Sequence, residues 1–514
     1  MRPIVDTNTG PVEGLEEEYN GIKSYSFKGI PYAADTSGQN RWRAPQDVEP
    51  WTTPLDASSF GPQCPQFRMG EGGFRGFIAG AYEAEIPEEE PIQESEDCLR
   101  LNVYSPDLNP KEKAPVMFWI HGGALRYGSG DVYLPDGIVP KGNVLVTINY
   151  RLGELGFFAH PSINDSDQKH KTNFGLLDQI KALHWVKENI ENFGGDPSNV
   201  TIFGESAGGF SVAALLVSPP SEGLFHKAIV QSGGFARMAL HSSDDSNNGY
   251  SASDLGTRFG ELCDIPTGPD QLKNMRDLPV EKIIDVGKIG FSSSFFVDGK
   301  SILSPVMKSF EEGLNHKVPT IIGTNADEGT ALYWGSPLAD VPPPINSVEK
   351  YRLVIADKFG EKSEEILSIY PASDKEEMIR SSKSLLGDSL FGAPSYFAAK
   401  SMAKRGESIY FYHFNQKPSG KAGELLGAFH AYEIGYVFGV GGLGPIENQY
   451  LSDTMLSYWT NFATNGNPNS DSLPAWETMK SDKNTWHVLG PEIGEKEIDR
   501  MEIYSLLEDL EFVT

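Results

Sequence analysis

Five residues, Gly204-Glu205-Ser206-Ala207-Gly208, constrain this chain more than any other stretch, because few local geometries suit them between the segments on either side. Before them, Asn199-Val200-Thr201-Ile202-Phe203 is short, apolar and β-branched and reads as a buried strand. After them, residues 209–216 read as a buried helix. A sharp strand-to-helix turn forces its central residue into a strained backbone conformation, and glycines on both sides leave room for the crossing chain, so the serine hydroxyl stands clear above a sheet. The same string is elsewhere often a mere turn before a helix. The flanking strand and helix are what favour a reactive serine.

A serine hydroxyl is too weak an acid to attack a carbonyl unaided, so the reading requires a base, an orienting acid and donors for a developing oxyanion. Where a turn of this kind is used, they follow in the order serine, acid, histidine. Val318-Pro319-Thr320-Ile321-Ile322-Gly323 reads as a strand that runs into Thr324-Asn325-Ala326-Asp327-Glu328-Gly329, and one of the two carboxylates there is the expected acid. Residues 408–414 read as another central strand, and His430, beyond the glycine-rich segment that follows, is the candidate base. Of the other histidines, His160, His170, His226, His241, His316 and His487 lie in polar contexts and read as solvated. His184 reads as packed within a helix and His413 as part of a sheet. Upstream, Pro115-Val116-Met117-Phe118-Trp119-Ile120 is a near-continuous apolar strand ending in His121-Gly122-Gly123-Ala124. That loop either merely reverses the chain or, with the residue after the serine, offers the amides of Gly123, Ala124 and Ala207 to an oxyanion.

Further motifs occur in order along most of the chain: residues 27–33 (FKGIPYA), 96–104 (EDCLRLNVY), 149–153 (NYRLG), 173–179 (NFGLLDQ), 193–197 (FGGDP), 458–463 (YWTNFA) and 466–469 (GNPN). With them the chain resembles the type B carboxylesterases, the α/β-hydrolase family that includes the cholinesterases and bacterial p-nitrobenzyl esterases. The resemblance implies an α/β-hydrolase fold: a large, twisted, mostly parallel central sheet flanked by helices, with long insertions forming the pocket walls. It implies Ser206 as nucleophile, Glu328 rather than Asp327 as the acid, His430 as base, and Glu205 and Ser232 as supporting hydrogen-bonding residues. Ala124 stands where cholinesterases have a third glycine, as in the bacterial p-nitrobenzyl esterases, and keeps the backbone donor. The segment between Cys64 and Cys98 has no tryptophan, which disfavours choline esters, since a quaternary ammonium is held on an aromatic face. In many secreted relatives the positions of Cys64 and Cys98 are bridged.

The activity implied is a serine carboxylesterase that hydrolyses small to medium carboxylic esters through an acyl-enzyme, needing only ester and water and no cofactor. Phe291, Phe295, Phe296 and Phe391 are candidates to line its pocket. A lipase for longer chains is the alternative, and a non-catalytic binding protein on the same fold is disfavoured by retention of every triad member. An unperturbed histidine titrates near ~6.5, so activity is expected to rise with pH through neutrality.

Strand and helix patterns relevant to the site run from residue 115 past 430, so residues 1–514 are read as a single elaborated domain with insertions at 67–95, 242–254 and 335–384. A formal net charge of −28 argues against nucleic acid or anionic lipid as partners. Glu16-Glu17-Glu18 and Glu88-Glu89-Glu90 read as solvated surface rather than metal sites, and no zinc spacing, Walker loop or dinucleotide fingerprint occurs. No apolar run is long enough to span a bilayer and no apolar signal core follows Met1, so a soluble chain is expected, and with three cysteines a cytoplasmic setting, or a secreted or periplasmic one if a signal peptide was removed.

Overall fold

The structure, a computed structural model, describes residues 2–68, 73–84, 93–163, 170–234, 251–288, 294–335 and 345–508, together with the backbone of 241–242. Its centre is an eleven-stranded sheet. In chain order the strands are β1 (Leu15–Tyr19), β2 (Ile22–Pro31), β3 (Arg100–Ser105), β4 (Ala114–Ile120), β5 (Val144–Ile148), β6 (Gly195–Glu205), β7 (Lys227–Gln231), β8 (Thr320–Asn325), β9 (Ile409–Phe414), β10 (Thr485–Leu489) and β11 (Gly494–Glu497). They lie side by side as β11-β10-β9-β8-β7-β6-β4-β5-β3-β2-β1. From β10 to β5 every pairing is parallel, and antiparallel strands flank this block on both sides. The strands and helix expected from sequence around residues 115–120, 199–203, 209–216, 318–323 and 408–414 are all present, with ends displaced by a few residues.

A parallel strand with helices on both faces is apolar throughout because successive side chains enter different cores. Along β4, Val116, Phe118 and Ile120 join one buried cluster while Met117 and Trp119 join the other. Along β9 the same alternation sends Ile409 and Phe411 one way and Tyr410, Tyr412 and Phe414 the other. The helix Phe174–Asn189 contributes Phe174, Leu176, Ile180, Leu183 and Val186 to the first cluster, and the helix Gln449–Asn465 contributes Leu451, Met455, Tyr458, Trp459 and Phe462 to the second.

Two of the sequence motifs meet in this core. Arg151 lies just beyond β5 and Asp178 in the helix Phe174–Asn189, and both are fully buried. The guanidinium donates from Nε at 2.7 Å and from Nη2 at 2.6 Å to the two carboxylate oxygens, and the Arg151 backbone N–H adds a third donor at 3.1 Å. Removing one partner of a buried ion pair leaves the other charge uncompensated, which typically costs ~3–5 kcal/mol. Asp178→Ala is therefore expected to lower the unfolding free energy in urea by about that amount, and a loss under ~1 kcal/mol would show that the pair is not a structural lock.

Candidate active site

Each residue singled out from sequence lies at or beyond the carboxyl end of a central strand, where ligands gather in open parallel sheets. β6 ends at Glu205, and Ser206 follows with φ +55° and ψ −123° before the helix Ala207–Val217 begins. This is the strained elbow expected from sequence. It results from close approach of β4: a Cβ on Gly208 would lie 2.0 Å from the Ile120 carbonyl oxygen, and one on Gly204 would lie 2.6 Å from it. Such a backbone costs on the order of 1–3 kcal/mol and persists only where its surroundings hold it. Here the Ser206 N–H donates to Gln231 O at 3.0 Å, tying the turn to β7.

The loop after β4 runs beside the elbow. A Cβ on Gly122 would sit 3.2 Å from the Ser206 Cβ. Gly123, Ala124 and Leu125 all take positive φ (101°, 54° and 58°), a left-handed curl of the backbone beside the elbow. The N–H groups of Gly123, Ala124 and Ala207 donate to no acceptor among the described residues. The loop is anchored by the His121 ring, stacked on Tyr150 at 4.5 Å, and by the Tyr150 hydroxyl, which donates to His121 O at 2.8 Å. Burial pushes the His121 pKa down to about 4, so this ring is neutral at ordinary pH.

The candidate acid and the candidate base come from two loops sewn together. Asp327 pairs with Phe429 in an isolated bridge, its N–H donating to Ala428 O at 3.0 Å while its Oδ2 accepts from Ala428 N at 2.8 Å. That structural task occupies the carboxylate that sequence alone left as an alternative acid. Its neighbour Glu328 instead turns into the site. Glu328 Oε2 meets His430 Nδ1 at 2.5 Å, and Oε1 accepts from the Ser232 hydroxyl at 2.5 Å and from the Asn325 N–H at 2.7 Å. Three donors on one carboxylate fix its orientation and assign the Nδ1 proton, leaving the Nε2 lone pair of a neutral imidazole for proton transfer.

His430 Nε2 lies 3.2 Å from Glu205 Oε1. Ser206 Oγ makes no hydrogen bond among the described residues, so the serine–imidazole contact expected from sequence is not closed here. Catalytic hydrogen bonds often tighten only with substrate in place. Ser206, Glu328, His430, Gly123, Ala124, Ala207, Glu205 and Ser232 thus gather around one elbow, with Glu328 on Nδ1 and Glu205 beside Nε2 of the imidazole.

A further buried carboxylate completes the surroundings. Glu433, three residues after His430, accepts from Asn325 Nδ2 at 2.6 Å and from Gln231 Nε2 at 3.2 Å, and the other end of Gln231 accepts from Trp459 Nε1 at 3.0 Å. Sequence reasoning missed Glu433, whose one local signal is its place three residues after His430. Burial, reinforced by Glu328, pushes its pKa up to about 7, and burial raises Glu205 well above the ordinary carboxylate range. Burial pulls His430 down, but Glu205, the bonded Glu328 and Glu433 together outweigh it, and the imidazole is raised to about 9. With His430 as the base, the acid limb of activity is accordingly expected above the neutrality of an unperturbed histidine.

The remaining histidines depart from the sequence reading in several places. His160 and His487 are buried rather than solvated, the first on Gln271 Oε1 at 2.9 Å and the second stacked on Trp476 at 4.8 Å. His226 and His316 are half-buried, and His316 Nε2 meets Ser218 O at 2.9 Å. His184 is exposed on its helix rather than packed. His413 does lie in the sheet, stacked on Trp486 at 3.8 Å. Of the four phenylalanines, Phe295 packs against Phe157 in the main core and Phe296 is buried beside it, Phe391 lies on the His430 ring, and Phe291 falls outside the described residues. Among the described residues no group of histidine, cysteine, aspartate and glutamate is arranged to hold a metal ion, and no helix is long and apolar enough to cross a membrane.

A family model described as the carboxylesterase family matches residues 1–503. The chain is 36% identical over 504 residues to the para-nitrobenzyl esterase of Bacillus subtilis (strain 168), with 95% of each chain covered. It is 34% identical over 526 residues to a liver carboxylesterase of Sus scrofa, covering 92% of this chain and 87% of that one. It is also 33% identical over 487 residues to a fumonisin B1 esterase of Sphingopyxis macrogoltabida, covering 91% and 83%. Among solved structures it is similar to a thermophilic PNB esterase, with a TM-score of 0.80, 32% identity and coverage of 99% of this chain and 100% of that one.

The raised histidine yields a direct test. A carboxylate beside an imidazole stabilises its protonated form, so Glu205→Gln removes part of the upward displacement, and the acid limb of kcat/KM should move to lower pH than in the wild type. A limb that stays put or moves upward would show that Glu205 does not act on His430 as a charge.

Proposed function

The chain belongs to the carboxylesterase family and is a serine carboxylesterase, a carboxylic-ester hydrolase of α/β-hydrolase fold, and on that premise we propose how its residues divide the reaction. Ser206 is the nucleophile, His430 the general base and then acid, and Glu328 the residue that holds the imidazole. The amides of Gly123, Ala124 and Ala207 receive the oxyanion, and Ser232 and Glu205 support the acid and the base. The observation that carries this reading is the Glu328–His430 bond of 2.5 Å beside a serine held at φ +55°.

As Ser206 Oγ bonds to the ester carbonyl carbon, its proton passes to His430 Nε2 and the carbonyl π pair moves onto oxygen, which the three amides receive. Collapse of this intermediate expels the alcohol, which takes the proton from Nε2, and leaves Ser206 acylated. Water then adds to the acyl carbon, giving its proton to Nε2. The second intermediate releases the carboxylic acid and returns the proton to Ser206 Oγ. Each oxyanion donor of this kind is worth ~2.7–4 kcal/mol of transition-state stabilisation. Glu328 favours the charged imidazole formed in both halves.

The substrate class we propose is small to medium esters, which suits an aromatic surround. Phe391 and Phe74 lie 4.7 and 6.3 Å from the His430 ring, and Phe210 lies 6.3 Å from Phe391. Relatives named as esterases favour this over a lipase. A panel of p-nitrophenyl esters from acetate to palmitate should show greatest kcat/KM among the shorter acyl chains, with no jump above the solubility limit of the longer ones. Ser206→Ala should lose at least about a thousandfold in kcat and all covalent labelling by an organophosphonate. Retained labelling in that variant would assign the nucleophile elsewhere, and a maximum at palmitate would restore the lipase reading.

A further inference from the structure

One contact on the imidazole has no part in the reaction as described so far. Between the helices Lys375–Gly387 and Ala393–Lys404 the chain makes a single π-helical turn, Asp388–Gly392. Such turns replace good helical hydrogen bonds with poorer ones and occur mostly singly, often at functional sites. This one is held from several sides. Asp388 is buried and its Oδ2 accepts from Arg500 Nη1 at 2.6 Å and from the Tyr370 hydroxyl at 2.8 Å. The chain just before the turn lies against the acid, since a Cβ on Gly387 would sit 3.2 Å from the Glu328 Cβ. The side chain the turn delivers to the site is Phe391, which is 2% exposed, with its ring centroid 4.7 Å from that of His430 and the planes tilted by 35°.

The electronic consequence follows from the reaction. When Ser206 gives its proton to Nε2 the imidazole becomes a cation, and an aromatic face attracts a cation through its quadrupole, most strongly where water is excluded. Glu205 at the end of β6, Glu328 after β8 and Glu433 in the helix Glu433–Phe438 are the charged groups that face this imidazole, while Asp388 on the turn itself is paired with Arg500. Phe391 is the neutral partner set against that ring.

We propose that Phe391 is a positioning residue of the esterase reaction, acting through His430: its ring face stabilises the imidazolium formed in both transition states and holds the imidazole in the orientation that keeps Nδ1 on Glu328. The inference rests on the assignment of His430 as the base. It differs from a role as pocket wall, because a wall needs only volume, whereas this role needs an aromatic face. The expected contribution is roughly 3- to 30-fold in kcat.

The test compares Phe391→Leu, which fills the space without the quadrupole, with Phe391→Tyr, which keeps it. Thermal unfolding confirms that each is folded, and p-nitrophenyl acetate and butyrate serve as substrates. Phe391→Leu should lose roughly 3- to 30-fold in kcat with KM within about twofold of wild type, and its acid limb should move to lower pH because the imidazolium is less stabilised. Phe391→Tyr should remain within about twofold of wild type in kcat. Equal kcat and an unmoved limb in Phe391→Leu, or a loss confined to KM, or a Phe391→Tyr variant as slow as Phe391→Leu, would each overturn the proposal. His430→Ala run alongside separates the two levels. If it is inactive while Phe391→Leu is unimpaired, only the role of Phe391 falls; if it keeps wild-type turnover, the assignment of the base falls and this inference with it.

Discussion

Two parallel strands brought closer at their ends than side chains allow are the constraint on which this site depends. β4 and β6 pair along their length, and where they end, backbone meets backbone: Ile120 O stands where a Cβ on Gly208 would lie 2.0 Å away. The chain leaves β6 through a serine at positive φ because no relaxed turn fits beneath that carbonyl, and it leaves β4 through a loop that passes Ser206. The proposed nucleophile and oxyanion donors therefore arise from one contact rather than two. The strain is confined to a short turn, and buried strands on either side hold it there.

Around that turn the protein gathers three glutamates and one histidine in a volume almost closed to water. Isolated carboxylates in such a place would take up protons, and an isolated imidazole would lose one. Together, Glu205 and Glu433 are still raised, but the imidazole is raised rather than lowered. Asn325, the last residue of β8, donates its backbone N–H to Glu328 and its side-chain amide to Glu433, so a single residue fixes the spacing of two acids. Gln231, the last residue of β7, ties Glu433 to Trp459, and its carbonyl receives the Ser206 amide. The strand ends thus set both the electrostatics of the base and the position of the nucleophile. His430 has carboxylates on both ring nitrogens, which is why its protonated form is favoured despite burial.

Much of this was legible in the residues. The elbow, the strand before each functional loop and the order serine, acid, histidine are local patterns, since a strand buried on both faces reads as an apolar run and a glycine on each side of a serine marks a close crossing. The choice between Asp327 and Glu328 was not local. It depends on which carboxylate the loop at 428–429 engages, a contact made across some hundred residues. The burial of His160 and His487 was equally out of reach, because polar neighbours in sequence say nothing about Gln271 or Trp476 arriving from elsewhere. Phe391 was visible as an aromatic residue but not as one carried on a π turn, whose extra residue shifts every later side chain around the helix axis.

The balance of charge also bears on turnover. Hydrolysis converts a neutral ester into a carboxylate, and that anion is released beside Glu205, Glu328 and Glu433 in a protein of net charge −28. Where these glutamates are ionised they repel that anion, and the charged imidazole between Glu205 and Glu328 offsets part of the repulsion. A neutral ester does not feel this repulsion, whereas one already carrying a carboxylate does. The same buried glutamates therefore act both on the imidazole and on any charge carried by an acyl group beside it, and the two effects cannot be tuned independently without moving the carboxylates themselves.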